Sequence, residues 1–461
     1  MGLMPVTDSM FMVPEKREQP MHVGGLQVYD LPPGADDTWV TDVYKQALAA
    51  TDIAPAFRKR PTRGPLTLGQ WAWTEDRDVD LEHHVRHSAL PHPGRVRELL
   101  ALVSRLHGTL LDRERPLWEA HLIEGLEGGR FAVYTKIHHS MMDGVSAMRL
   151  MQSSLSTDPG AVTGMPWQPR ERSRRAASGG SLLSAVPGMA WTATTDAVTL
   201  TPRLLRIAAT GLRDQAAALP LQAPRSLFNG SITGSRRFAA QSWPLSRIRA
   251  VAAASACTVN DVLLAMCSNA LRDYLLDLHA LPDAPLIAMT PVSLREADDP
   301  STGNAVATIL ANLATDVADP QQRLLAIRTS MRQGKATLRG LSPAQRVAVS
   351  GVVMSPLLLN GLVGMHKVSR PPFNLVISNV PGPTETLYFN GARLQGMYPL
   401  SIPLQGQALN ITVTSYDGEL HVGIVGCRRT VPHLQRMLFG LEKGLADLEE
   451  AFAAAPAAAA R

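Results

Sequence analysis

Lys136-Ile137-His138-His139-Ser140-Met141-Met142-Asp143-Gly144 is the stretch that decides how this chain reads: two adjacent histidines, then Asp-Gly four residues on. It stands where one periodicity gives way to another. Upstream, Phe131, Val133, Thr135 and Ile137 alternate with Ala132, Tyr134 and Lys136, the period of two expected of a strand. Downstream, Val145, Met148, Met151 and Leu155 fall within one arc of a helical wheel. A histidine at a strand end is held by a rigid scaffold and can still face a cleft. Neutral imidazole can remove a hydroxyl proton near pH 7, which few side chains can do. Asp143 could orient a ring or pair with a basic group that shapes the turn, and Gly144 is expected to let the backbone turn tightly into the helix. The surrounding sequence offers no third ligand of the right type, so no metal is expected.

Outward from this motif the chain divides into zones. Residues 1–157 alternate strand-like and helix-like segments: a strand over 23–29, a helix over 95–111 with Leu99, Leu100, Val103, Leu106 and Leu110 on one side, and a hairpin from 121–126 and 131–137. Residues 158–224 shift to Pro, Gly, Ser and Ala, with Arg170, Arg172, Arg174 and Arg175 crowded together and a basic amphipathic helix over 202–219. That zone reads as an exposed linker, or as a contact with anionic lipid. Residues 225–453 resume the alternation, with a helix over 259–275, buried strands over 285–291 and 374–380, and a hairpin whose Asp417-Gly418 suits a type I′ turn. An amphipathic helix carrying Leu434, Leu438, Leu441, Leu445, Leu448 and Phe452 closes this zone, and the Ala-rich tail 454–461 is expected to be disordered. The class is α/β (α+β).

Composition narrows the possibilities. At 461 residues, with 45% hydrophobic and 18% charged residues, the chain can bury a large core. Its net charge is +5 and its pI about 9.2, a mild preference for anionic partners. Neither zinc-finger spacing nor an RNP-like strand is present, so nucleic acid is not expected as a partner. Cys257, Cys267 and Cys427 form no CxxC, which fits a reduced, cytoplasmic protein with buried thiols. Asp8, Glu15, Lys16, Arg17 and Glu18 precede any long apolar run, which argues against a secretory signal. The uncharged residues 347–365 include Pro356, Asn360 and three glycines, and read as a buried helix or lipid-facing lip in preference to a span.

Other constellations have weaker claims. Glu82-His83-His84-Val85-Arg86-His87 holds more histidines than the first motif but lacks Asp-Gly and has Arg86 among the rings, so surface or interlobe polar contacts are expected there. Trp118, in Pro116-Leu117-Trp118-Glu119, has the neighbours of a packing anchor. Asn260-Asp261 suits a helix cap. Pro291-Val292-Ser293-Leu294-Arg295 ends a buried strand in a cation that needs a partner, with Asp143 a candidate. Ser378-Asn379-Val380-Pro381-Gly382-Pro383 is a strand and tight turn that could present Ser378 and Asn379 to a cleft.

Together these blocks resemble the bacterial wax ester synthase/diacylglycerol acyltransferase family. The resemblance runs from Gln19-Pro20-Met21-His22-Val23-Gly24-Gly25 to Gly426-Cys427-Arg428-Arg429-Thr430, and takes in residues 111–119 (LDRERPLWE), 258–261 (TVND), 291–295 (PVSLR), 378–383 (SNVPGP) and 409–416 (LNITVTSY). HHxxxDG alone is shared with chloramphenicol-acetyltransferase-like enzymes and peptide-synthetase condensation domains; the other blocks in this order are more specific.

The resemblance implies two chloramphenicol-acetyltransferase-like lobes with an interlobe tunnel, joined by the basic linker. It implies O-acyl transfer from a fatty acyl-CoA to a long-chain alcohol or diacylglycerol without a covalent intermediate and without a cofactor. His139 is then the general base, His138 supports it, and Asp143 holds the motif loop, with Gly144 and Arg295 structural. Trp118, Asn260, Ser378 and Asn379 are expected near substrate. Peripheral contact with the inner membrane or lipid inclusions is expected, as a monomer or homodimer. The rival readings are a condensation-type enzyme using a carrier-protein thioester and a non-catalytic lipid-body coat protein.

Overall fold

A computed structural model of the chain describes residues 2–169, 223–293, 306–339 and 370–453. The expected basic linker helix, the segment 347–365, Arg295 and the tail 454–461 lie outside the described residues.

The first half supplies strands β1 (Gly2–Leu3), β2 (His22–Asp30), β3 (Lys59–Arg63), β4 (Trp71–Glu75), β5 (Val85–Ala89), β6 (Trp118–Leu126) and β7 (Arg130–His138). Its helices are α1 (Val6–Met12), α2 (Trp39–Ala49), α3 (Leu81–His84), α4 (Val96–His107) and α5 (Gly144–Ser153). The second half supplies β8 (Arg236–Pro244), β9 (Ile287–Ser293), β10 (Val306–Asn312), β11 (Leu375–Val380), β12 (Tyr388–Phe389), β13 (Ala392–Leu400), β14 (Leu409–Tyr416) and β15 (Glu419–Cys427). Its helices are α6 (Leu245–Ala254), α7 (Val259–Asp277), α8 (Pro320–Arg339) and α9 (Arg436–Ala453).

Two mixed six-stranded sheets form the two lobes, in the orders β12-β13-β2-β7-β6-β5 and β10-β9-β11-β14-β15-β8, and β1-β4-β3 makes a small third sheet. The hairpins read from alternation are present: β6 pairs antiparallel with β7, and β14 with β15 across Asp417-Gly418, both of which have positive φ as a type I′ turn requires. The division at 157 and 225 is less clean than composition suggests. β13 crosses from the second half to pair with β2 in the first lobe. Residues just past 157 also belong to the first lobe, because Trp167 is buried there, stacked on Trp118, with its Nε1 donating to Ala50 O.

Each lobe packs helices on its sheet. α7 is buried nearly all round, as a helix apolar on every side must be, and it packs among β9, β11, β14, α8 and α9 in one core. Its start differs by two residues from the expected cap. Thr258 is the N-cap, accepting from Asp261 N at 3.2 Å, while the Asp261 carboxylate accepts Thr258 N at 2.9 Å. Asn260 is thereby left free of capping. In the first lobe α5 lies on β2 at Gly25, where an added Cβ would sit 2.4 Å from Met151 Cε. Met151 reaches over Gly25 from that helix, which begins at the motif, and a Cβ there would require the end of the Met151 side chain to swing aside.

Among the described residues no single helix is long and apolar enough to cross a membrane. The bent pair α6–α7 passes by length and composition, but most of its apolar side chains lie in the second lobe's core.

Candidate active site

The motif sits at the end of β7 between two strands that fix its backbone. His138 N donates to Leu117 O at 2.9 Å on one side, and His139 N donates to Met21 O at 2.9 Å on the other. Successive strand residues face opposite ways, so the two rings have opposite environments.

His138 points inward and is wholly buried. Its Nδ1 accepts from Ser140 N at 3.1 Å and lies 2.7 Å from Ser140 Oγ. Because Nδ1 is an acceptor, the ring proton is on Nε2, which faces Glu15 Oε1 at 3.2 Å. The Glu15 carboxylate is itself buried and accepts Met21 N at 3.1 Å and, on its other oxygen, Arg113 Nε at 3.0 Å and Nη2 at 2.9 Å. Burial works against the Glu15 charge, but the hydrogen bond and charge of His138, the Met21 N–H and the Arg113 charge prevail and hold its pKa below the usual carboxylate value. Glu15 and Arg113 were not among the expected site residues. Arg113 lies within the quoted 111–119 block, but Glu15 reads only as one charge in a charged leader, with no local sign of its role.

His139 points the other way, its ring partly exposed and stacked on Phe11 at 4.1 Å between centroids and 19° between planes. Among the described residues no other residue hydrogen-bonds the ring; its one hydrogen-bond partner is its own backbone. Burial among apolar neighbours pushes its pKa down to about 4, against the opposing pull of Asp143, so the imidazole is neutral at pH 7. A neutral imidazole oriented by its own backbone and by Phe11 is what proton abstraction requires.

Asp143 makes a contact beyond the expected pairing with Arg295, which lies outside the described residues. It is the N-cap of α5, and its carboxylate accepts Ser146 N at 2.7 Å. The tight-turn reason for Gly144 does not hold: the residue is already helical, lacks positive φ, and an added Cβ would meet only Val23 Cγ1 at 4.0 Å.

Behind the motif, on the side of His138, lies a buried charged group. Lys136 Nζ is 3.1 Å from Glu119 Oε2 and donates to Leu106 O and Thr109 O at 3.3 and 3.1 Å, and His121 Nε2 is also 3.1 Å from Glu119. Burial opposes the Glu119 charge, yet the His121 hydrogen bond and the Lys136 charge hold its pKa at about 2.

Of the residues expected near substrate, the structure brings two together. Asn379 Nδ2, at the end of β11, donates to Asn260 Oδ1 at the start of α7 at 3.4 Å, and Ser378 lies beside Asn379, half-buried. The turn that follows reaches the motif's own helix: an added Cβ on Gly382 would sit 2.2 Å from Ser415 O and 3.4 Å from Gln152 Nε2 of α5. Trp118 is placed elsewhere. It is 1% exposed, sandwiched between His84 and Trp167, with Nε1 donating to Phe57 O at 3.0 Å, so it is a packing anchor with no face left for substrate. His84 serves that anchor: it is buried against Trp118, inside the first lobe and away from the surface or interlobe position expected of it, while His83 beside it is half-exposed.

Two family models cover most of the chain. The wax ester synthase/diacylglycerol acyltransferase catalytic domain matches residues 4–263, and the C-terminal domain of the same family matches residues 302–449. The chain belongs to the wax ester synthase/diacylglycerol acyltransferase family. Among its relatives, a protein of Mycobacterium tuberculosis named as a probable diacylglycerol O-acyltransferase is 51% identical over 457 residues, 98% of this chain and 99% of that one. The O-acyltransferase WSD of Acinetobacter baylyi is 44% identical over 450 residues, 95% of this chain and 94% of that one. The structure of the Marinobacter aquaeolei family member superposes with a TM-score of 0.81 at 44% identity, covering 98% of this chain and 100% of that one. A peptide-synthetase condensation domain shares the fold alone, with a TM-score of 0.58 at 19% identity. This wax ester synthase/diacylglycerol acyltransferase family member is therefore a two-lobed O-acyltransferase, and its paired histidines stand where the resemblance implied a catalytic base.

Proposed function

We propose that the chain transfers a fatty acyl group from acyl-CoA to the hydroxyl of a long-chain alcohol, of diacylglycerol, or of both, with His139 as the general base. The observation that carries this reading is the contrast within the histidine pair. His138 is held between Glu15 and Ser140, while the His139 ring is neutral, stacked on Phe11 and hydrogen-bonded by no other residue among the described ones.

An acyl thioester is already activated, so the enzyme needs no nucleophile of its own. A nitrogen of His139 takes the acceptor's hydroxyl proton as that oxygen bonds to the thioester carbon. The oxyanion then collapses, the C–S bond breaks, and the imidazolium returns its proton to the coenzyme A thiolate. Asn260 and Asn379, brought together at the N-terminus of α7, are the candidate donors to the oxyanion. No step calls for a cofactor. Glu15 and Arg113 act as positioning residues through His138. Because both substrates partition into lipid, we place the reaction in a tunnel between the lobes, on the cytoplasmic side of a membrane or at the surface of a lipid inclusion.

The test offers palmitoyl-CoA to the purified protein with hexadecanol and diacylglycerol in competition and identifies the esters formed. His139→Ala is expected to abolish both products while thermal stability stays near that of the parent. Ester formation at the parent rate by this variant would sink the mechanism.

A further inference from the structure

The β3–β4 hairpin holds two leucines in water. Leu66 is 93% and Leu68 91% exposed. They are not on a slack loop. Thr67 between them is buried, its hydroxyl accepting from Gly64 N at 3.1 Å and donating to Gly64 O at 3.0 Å. Leu68 N, Gly69 N and Gln70 N close further turns onto Pro65 O, Gly64 O and Thr67 O, and Arg63 Nε ties Gly69 O at 2.6 Å. Leu68 itself has φ 50°, a left-handed conformation that Gly or Asn would adopt more easily. A rigid turn that keeps a leucine at such a position, with nothing among the described residues to cover it, points to a use for the side chain outside the protein.

Charge indicates what the partner is. The β3–β4 hairpin carries Lys59, Arg60 and Arg63 against one carboxylate, Glu75, which lies opposite Lys59 at the base of the hairpin, so that no carboxylate stands near its tip. Lys59 and Arg63 are exposed, and Leu3 on the neighbouring strand is 65% exposed. Two protruding apolar side chains fall far short of the roughly 800 Å² per side that stable protein interfaces bury. Apolar tips backed by cations instead match an interfacial lipid contact, where side chains enter the acyl boundary and cations meet anionic headgroups.

The hairpin is also continuous with the reaction centre. Trp71 and Trp73 pack with Met4, Met12, Leu111, Leu117 and Met141 in one small core, and Phe11, next to Met12, stacks on His139. We infer that Leu66 and Leu68 form a membrane-docking tip that enters an anionic lipid surface and sets the Phe11–His139 side of the first lobe toward it. The purpose of this docking rests on the proposed lipid acceptor; the binding does not.

The experiment uses the full chain in flotation with vesicles of phosphatidylcholine, alone or with phosphatidylglycerol. Leu66→Ser/Leu68→Ser is expected to weaken partition into the mixed vesicles at least ten-fold, since each buried leucine is worth about that much or more. Lys59→Ser is expected to weaken binding to the mixed vesicles while leaving binding to phosphatidylcholine alone unchanged. In a third variant, Leu66→Trp, brominated lipid should quench the added emission. A loss below ten-fold for the double serine variant, or no quenching at residue 66, overturns the inference. Acyl transfer to a water-soluble short-chain alcohol separates the two readings. The double serine variant should keep the parent rate, and absence of transfer in the parent as well would count against the proposed function alone.

Discussion

Glu15→Gln tests whether the buried carboxylate organises the site. The carboxylate accepts three hydrogen bonds, from Met21 N at 3.1 Å on one oxygen and from Arg113 Nε at 3.0 Å and Nη2 at 2.9 Å on the other, and its first oxygen also faces His138 Nε2 at 3.2 Å. A glutamine offers one acceptor oxygen and one amide donor, so one of these pairs must face an N–H. If the amide turns to Arg113, the loss is softened, because that guanidinium is 36% exposed and Nη2 also reaches Met12 O and Glu15 O. If it turns the other way, Met21 N and the His138 ring proton lose their acceptor in a dry site. Each buried donor left unpaired costs about 1–3 kcal/mol, and hydrogen bonds to a charged group sit near the upper end. Allowing for solvent at Arg113, the substitution should destabilise the first lobe by about 2–4 kcal/mol.

That loss corresponds to a Tm lower by roughly 5–10 °C for a lobe of this size, readable by calorimetry. The rate should suffer separately. Without Glu15 the His138 ring loses the contact that fixes its tautomer, and the strand end that carries His139 loosens. Misplacement on the ångström scale costs about 100-fold, so kcat should fall by roughly 10–100-fold with little change in KM for acyl-CoA. A cycle with Arg113→Met should show a coupling of at least about 1 kcal/mol, because both side chains belong to one network. A Glu15→Gln variant with parental Tm and a kcat within a factor of two would refute the assignment.

With the His139 pKa held at about 4 by burial, protonation inactivates the base only as pH falls through that value. The acid limb of kcat/KM should therefore lie near pH 4, with activity flat across pH 6–7, and a limb at 6.5 would contradict this environment. Gly25→Val should force the Met151 side chain to swing aside and crowd the contact between α5 and β2, lowering stability by about 1–3 kcal/mol, as seen by thermal melts. His84, His107 and His421 are held near 4, 3 and 4 by burial. Their unfolded forms take up protons below about 6.5 while the folded forms do not, so stability present above pH 6.5 should erode as pH falls toward 4. Urea titrations at pH 7.5 and 5 should show a lower midpoint at the acid value.

The legible parts of this molecule are those whose physics is local. Alternation in 131–137 and the Asp417-Gly418 turn revealed both hairpins, because side-chain period and turn type are properties of a few neighbouring residues. The candidacy of His139 is legible for the same reason, since strand, turn and helix converge on it within nine residues. Partner choice between distant strands leaves no such trace. β13 pairs with β2 from the far end of the chain, and nothing in residues 392–400 names that partner. Trp118 illustrates a further limit. Its sequence neighbours suit an anchor and a substrate wall equally well, and only the positions of His84, Phe57 and Trp167 decide between them.

Glu15 marks where the reading of a motif must stop and the reading of a fold begin. Two adjacent histidines at a strand end cannot share an environment, because the pleat sends one ring inward wherever it sends the other outward. The inward ring is then a buried polar group and needs a partner for each nitrogen. Ser140 can serve Nδ1 because it is two residues away, but an acceptor for Nε2 must arrive from another element. It comes from residue 15, and a buried carboxylate in turn needs a cation, which comes from Arg113, 98 residues further along the chain. The doubled histidine thus imposes a chain of requirements that ends in an ion pair. Asp143 stands outside it, since its carboxylate is occupied with the start of α5. Replacing Asp143 with Asn, which also caps helices, should therefore cost far less activity than Glu15→Gln. If the two losses were equal, the division of roles argued from these contacts would fail.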